Sequence, residues 1–150
     1  MFTAIAILPA DPQAPVAGTL ALTAGDRQKS RHRFVSEAGL MVHLNLPRGS
    51  VLRHGDLLVC QDQQVLRVVA KPEPVVVVRA ASPLTLLRAA YHLGNRHGAL
   101  EIQSDCLKFE PDSVLEAMLR QLGELHLEVA ILPFEPEAGA YRQGASHSHG

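Results

Sequence analysis

Val75-Val76-Val77-Val78-Arg79-Ala80-Ala81-Ser82-Pro83-Leu84-Thr85-Leu86-Leu87-Arg88-Ala89-Ala90-Tyr91-His92-Leu93-Gly94-Asn95-Arg96-His97 is the stretch that decides the fold. Four consecutive β-branched valines read as a strand buried on both faces. Ser82-Pro83 reads as a helix N-cap followed by proline at the first helical position, where the missing N–H costs nothing. Leu84, Leu87, Ala90 and Tyr91 fall on one face at the 3.6-residue period, and Gly94 is expected to cap the helix. The stretch is therefore a strand, a helix and a sharp corner.

The pattern continues downstream. Ala99-Leu100-Glu101-Ile102-Gln103 reads as a strand, Asp105 as a turn, and Leu107-Lys108-Phe109 as a strand pairing back. Pro111-Asp112 opens a second helix with Val114, Leu115, Met118, Leu119 and Leu122 on its apolar face, and Gly123 ends it. Leu125 to Ile131 alternates as a last strand. The order β-α-β-β-α-β within about sixty residues is the ferredoxin-like split βαβ pattern.

Upstream the reading changes. Ile5–Leu8, Thr19–Leu22, a strand entered through Phe34, Met41–Leu46, Leu57–Cys60 and Val65–Val69 are short strand candidates. Between them lie turns at Glu37-Ala38-Gly39, Pro47-Arg48-Gly49 and His54-Gly55-Asp56, Gly39 supplying positive φ. Such spacing predicts a small sandwich or a partly open barrel. Lys71-Pro72-Glu73-Pro74 is the linker candidate, its prolines breaking any ladder. The expected fold is α+β. Residues 1–72 form a small all-β domain, 73–136 a ferredoxin-like domain, and 137–150 a flexible tail.

Composition bounds the function. The chain has 150 residues, 47% hydrophobic and 19% charged, enough for a packed core built mainly from aliphatic side chains. The formal net charge of −1 argues against nucleic acid as the dominant partner. Residues 1–71 hold eight Lys/Arg against five Asp/Glu, and the rest six against ten, so the halves differ in sign. The apolar start, Met1 to Leu8, lacks a basic flank and stops at Pro9, and no run approaches a membrane span. Cys60 and Cys106 have no metal-type spacing and read as reduced thiols of a cytosolic protein.

Enzyme signatures are missing: there is no Gly-x-Ser-x-Gly, His-Glu-x-x-His, P-loop or Gly-x-Gly-x-x-Gly. Histidines are the remaining candidates. His97 follows a helix C-terminus, a place that favours a cation, and reads equally as a metal ligand and as an ordinary turn residue. His147 and His149 form an i, i+2 pair near the end of the chain, and imidazole suits nickel, copper and zinc. His92 fits a helix end, while His32, His43, His54 and His126 read as structural or surface residues.

Assembled, these motifs resemble the UreE family, the nickel metallochaperones of urease maturation. The resemblance rests on Tyr91 to His97, on Val114 to Gly123, on Asp26-Arg27-Gln28-Lys29-Ser30-Arg31, on Leu46 to Asp56, and on Phe134 to Tyr141. It covers nearly the whole chain in order. It implies a cytoplasmic homodimer, not an enzyme, that binds Ni(II), with Zn(II) or Cu(II) able to use the same ligands. It further implies transfer to the urease apoprotein complex, with the urease accessory GTPase as a direct partner. In the family, the histidine of the Gly-Asn-Arg-His motif meets its twin across the dimer axis. His97 holds that position, His147 and His149 match the tail ligands, and the first domain corresponds to the partner-binding one. Pro111-Asp112-Ser113 departs from the His-x-His pair some members carry there. The alternative is an adaptor of an assembly complex without a tight metal site.

Overall fold

The computed structural model describes residues 1–96 and 98–138. The chain divides into two compact units. Met1–Glu73 and Pro133–Glu135 form the first, and Pro74–Leu132 with residues 136–138 form the second. The architecture is α+β, as expected.

The first unit is one curled sheet. Its strands are β1 (Phe2–Leu8), β2 (Gly18–Leu22), β3 (Arg31–Val35), β4 (Met41–Asn45), β5 (Leu57–Cys60) and β6 (Val65–Ala70). They lie in the order β2-β6-β5-β1-β4-β3, so β2 and β3 are its edges. β1 runs parallel to β4 and antiparallel to β5, with a register shift between Ala4 and Ala6. That irregularity bends the strand and lets the sheet curl. Alternation then sends Ala4, Leu20, Val42, Leu44, Leu58, Leu66 and Val68 to one side, where they form the core. The Ser36–Leu40 turn joins β3 to β4, with Gly39 at φ 85° as the turn requires.

Two details differ from the sequence reading. Asp26 and Arg27, at the start of the charged segment that leads into β3, lie in a single helical turn not foreseen, α1 (Ala24–Arg27), capped by the Thr23 side chain accepting from Asp26 N at 3.2 Å. The linker is also shorter than expected. β7 already begins at Glu73, and Pro74 sits inside it. It precedes the Val76–Val78 run that pairs with β9, so its missing N–H interrupts nothing there.

The second unit has the element order β7 (Glu73–Ala80), α2 (Pro83–Gly94), β8 (Leu100–Ile102), β9 (Leu107–Phe109), α3 (Ser113–Leu122), β10 (Leu125–Leu132). Its sheet order is β10-β7-β9-β8, with β9 antiparallel to both β7 and β8. This is the split βαβ arrangement. Val75 to Val78 are all buried, as a central strand demands. Val76, Val78, Leu107 and Phe109 meet Ala89, Leu93 and Leu119 from the helices. No helix among the described residues is long and apolar enough to cross a membrane.

The helix ends follow their capping chemistry, with one correction. Ser82 accepts from Thr85 N at 3.2 Å, Asp112 accepts from Val114 N and Leu115 N, and Gly123 at φ 74° ends α3. Gly94, however, is inside α2. The cap is Asn95, in the right-handed region at φ −68°. The core face of α2 also differs: Leu86, Ala89, Ala90 and Leu93 pack inward, while Leu84, Leu87 and Tyr91 face outward. α2 carries two apolar stripes, and the unmixed Leu/Tyr stripe was the more conspicuous in sequence. On α3, Val114 likewise stays exposed while Leu119 is fully buried.

Candidate metal centre

His97, His147 and His149 all lie outside the described residues, so the site is approached through the segments that carry them. The first is the corner after α2. Asn95 N donates to Tyr91 O and Arg96 N to Leu93 O, both at 3.1 Å, which winds down the helix. Asn95, Arg96, Gly98 and Ala99 are exposed, and the chain re-enters the core only at Leu100. Both neighbours of position 97 are thus at the surface, next to helix carbonyls whose partial negative charge favours a cation.

The second segment is the approach to the C-terminus. Glu137 N donates to Leu100 O at 2.8 Å. Leu100 is the first residue of β8, three positions beyond 97. The start of the tail is therefore tied to the strand that leaves the corner. Nothing in the sequence pattern announces this bond, because it is made by backbone atoms.

The remaining histidines are placed as expected. His54 Nδ1 accepts from Ala70 N at 3.0 Å, so that nitrogen is engaged within the first unit. The His32 ring lies 4.6 Å from that of Phe34, and His92 meets Tyr91 edge-on at 5.2 Å. His126 is exposed beside Glu128, at 3.8 Å. Among the described residues no group of three His, Cys, Asp or Glu side chains converges as a metal site.

Neither thiol is poised as a ligand. Both are buried, and burial pushes both thiols up. Asp62 beside Cys60 and Asp105 beside Cys106 add to the shift in the same direction. A metal-binding cysteine needs the reverse, a stabilised thiolate. The departure at Pro111-Asp112-Ser113 also acquires a structural role: the Asp112 carboxylate is engaged in capping α3.

A separate cluster went unrecognised in the sequence. Arg27 is 3% exposed, and each of its three guanidinium nitrogens finds an acceptor. Nε donates to Leu22 O at 3.2 Å, Nη1 to Glu135 Oε1 at 3.1 Å, and Nη2 to Phe134 O. Glu135 also accepts from His54 N at 2.7 Å and lies 3.7 Å from Arg53. Phe134 is completely buried. Three of the motif segments quoted above, far apart in sequence, therefore close on one point of the first unit. Their shared role here is to hold the returning chain.

Comparison with known proteins accounts for both units. Residues 4–71 match the N-terminal domain of the UreE urease accessory protein family, and residues 73–150 match its C-terminal domain. A protein named urease accessory protein UreE from Nostoc punctiforme is 53% identical over 99% of this chain and 100% of its own length. One of the same name from Nostoc sp. is 47% identical over the same shares. A third, from Burkholderia lata, is 52% identical over 89% of this chain and 64% of its own length. The chain belongs to the UreE family of urease accessory proteins, a family of accessory chaperones and not of enzymes.

Proposed function

We propose that this chain is a nickel metallochaperone that carries Ni(II) as cargo to the urease apoprotein during assembly of its active site. It works in the cytoplasm as a homodimer. His97 of each protomer meets its twin at the dimer axis, and His147 and His149 complete the shell. The accessory GTPase of urease maturation and the apoprotein complex are its partners. The observation that carries the reading is Gly94-Asn95-Arg96-His97, retained in a chain that matches the family from end to end.

Several features of the described residues support it. The corner that carries position 97 is open to the surface. The helix leading to it presents Leu87, 67% exposed, and Tyr91, 66% exposed, an apolar face suited to burial against a second copy. The bond from Glu137 to Leu100 starts the tail beside the strand that follows position 97. From residue 138 to 147 the chain reaches at most about 30 Å, ample for a tail histidine to return to the corner.

The chemistry suits transfer. Two neutral imidazoles are an incomplete shell for Ni(II), which takes square-planar or octahedral N/O surroundings. Ligands on a chain end complete it at the entropic cost of ordering that end, so they also release readily. Imidazole must be deprotonated to bind, so affinity falls as pH drops below about 6.5, the ordinary imidazole value. Zn(II) and Cu(II) can use the same donors, since copper outranks nickel in intrinsic affinity.

Equilibrium dialysis with Ni(II) tests the reading. One nickel per dimer is expected for the intact chain, none for His97→Ala, and weaker binding at the same stoichiometry after truncation before His147. Unchanged stoichiometry in His97→Ala removes His97 from the site. A chain that binds no nickel at all is the adaptor instead.

A further inference from the structure

The first unit carries a surface that neither its core nor the metal chemistry uses. Register places Arg33 opposite His43 and Val35 opposite Met41 across β3 and β4, all on the face turned away from the core. Phe34 and Val42 are the residues that face inward. Arg31 shares the outward side of β3, and Ile5 extends it onto β1, which pairs with β4. Val35 is 67% exposed and Met41 48%, an unusual pair of large apolar side chains in open solvent.

Charge on this face has one sign. None of β1, β3 and β4 contains an Asp or Glu. Lys29, just before β3, is neutralised by Asp26 at 3.1 Å, and Arg53 faces Glu135. Arg31 and Arg33 make no ion pair among the described residues. β3 is also a sheet edge, so among the described residues its outer N–H and C=O groups have no strand beside them.

We propose that the outward face of β3, β4 and β1 docks an acidic, partly apolar face of a partner protein. Charge complementarity selects the occupant: two unpaired guanidiniums favour carboxylates, which they hold bidentately. Val35 and Met41 at one end of the face and Ile5 at the other supply apolar contacts that a purely electrostatic nucleic-acid site does not need. Strands about 4.8 Å apart and about 15 Å long give a face of a few hundred Å². That is the size of a transient contact and not of a permanent one, as a hand-off requires. The inference rests on the assembly role proposed above and adds the surface that serves it.

The test is binding of the purified urease apoprotein–accessory complex to the full chain by biolayer interferometry, at two salt concentrations. Arg31→Glu/Arg33→Glu is compared with Val35→Ser/Met41→Ser and with Arg120→Glu as a charge control in the second unit. Nickel dialysis runs in parallel. The expected result is salt-sensitive binding, weakened at least about tenfold by the arginine pair, mainly through a slower on-rate. The apolar pair weakens it too, the control does not, and nickel stoichiometry holds throughout. Equal binding by wild type and both double variants overturns the docking surface and leaves the assembly role standing. No binding by the wild type overturns both. If the arginine pair instead abolishes binding to tRNA or to phosphatidylserine vesicles, or splits the homodimer in sedimentation, the occupant is not an acidic partner protein and the proposal falls.

Discussion

At the scale of single residues, Arg27 does the most. It lies buried in α1 and holds two backbone carbonyls and one carboxylate, and the core tolerates its charge because each guanidinium nitrogen has an acceptor. Removing it strips Phe134 O of this donor, leaves Leu22 O with the Lys71 N–H alone, and half-releases Glu135. Arg27→Ala is expected to destabilise the first unit by about 2–4 kcal/mol, read as a lower urea midpoint. The two cysteines make a second prediction. Their thiols titrate above the ordinary range, so less thiolate is present at neutral pH. Iodoacetamide should label native Cys60 and Cys106 far more slowly than the unfolded chain, and rates should climb only in more alkaline buffer. The reach of Arg27 was not legible in the sequence. An arginine beside Asp26 and Lys29 looks like part of a solvated charge run. Its partner Glu135 lies more than a hundred residues on, and no local period encodes that distance.

At the scale of elements, most of the fold was legible. The valine run, the Ser82-Pro83 and Asp112 caps, the Gly39 turn and the Gly123 stop each follow from local chemistry, and local chemistry survives in the fold. The face of α2 was not legible. Leu84-Leu87-Tyr91 and Leu86-Ala89-Leu93 are both plausible stripes, and only the sheet decides between them. The small Ala89 allows α2 to approach the sheet closely, which the bulkier stripe does not. Leu93→Ala is expected to cost about 2–5 kcal/mol in thermal or denaturant unfolding. Leu87→Asp, on the exposed stripe, should leave that stability within about 0.5 kcal/mol per folded monomer. It should instead convert the proposed homodimer to monomer in sedimentation. Asp112→Ala, which strips two N–H groups of their acceptor, should cost about 1 kcal/mol.

At the scale of the whole molecule, the proposed metal site rests on resemblance alone. A histidine after a helix is an ambiguous sign, and the tie between Glu137 and Leu100 has no side-chain signature. The strand-rich first half and the mixed second differ visibly in pattern. What pattern could not show is that the chain, having built the second unit, gives Pro133–Glu135 back to the first. A chain ending at Leu132 should therefore weaken the first unit, where the loss of Phe134 alone is worth about 3–5 kcal/mol. A chain ending at Ala138 keeps Phe134 and Glu135. It should unfold at the same denaturant midpoint as the full chain while binding nickel more weakly.

That return also constrains the order of events during synthesis. Domains usually fold from the N-terminus as they emerge from the ribosome. Here the first unit is incomplete until residues 133–135 have been made, after the whole of Pro74–Leu132. Its sheet can pair early, but the buried guanidinium of Arg27 lacks Phe134 O and Glu135 until that segment arrives. The finished state of the N-terminal half thus reports that the second unit has been made, and a ribosome stalled before residue 134 would leave that half unsealed.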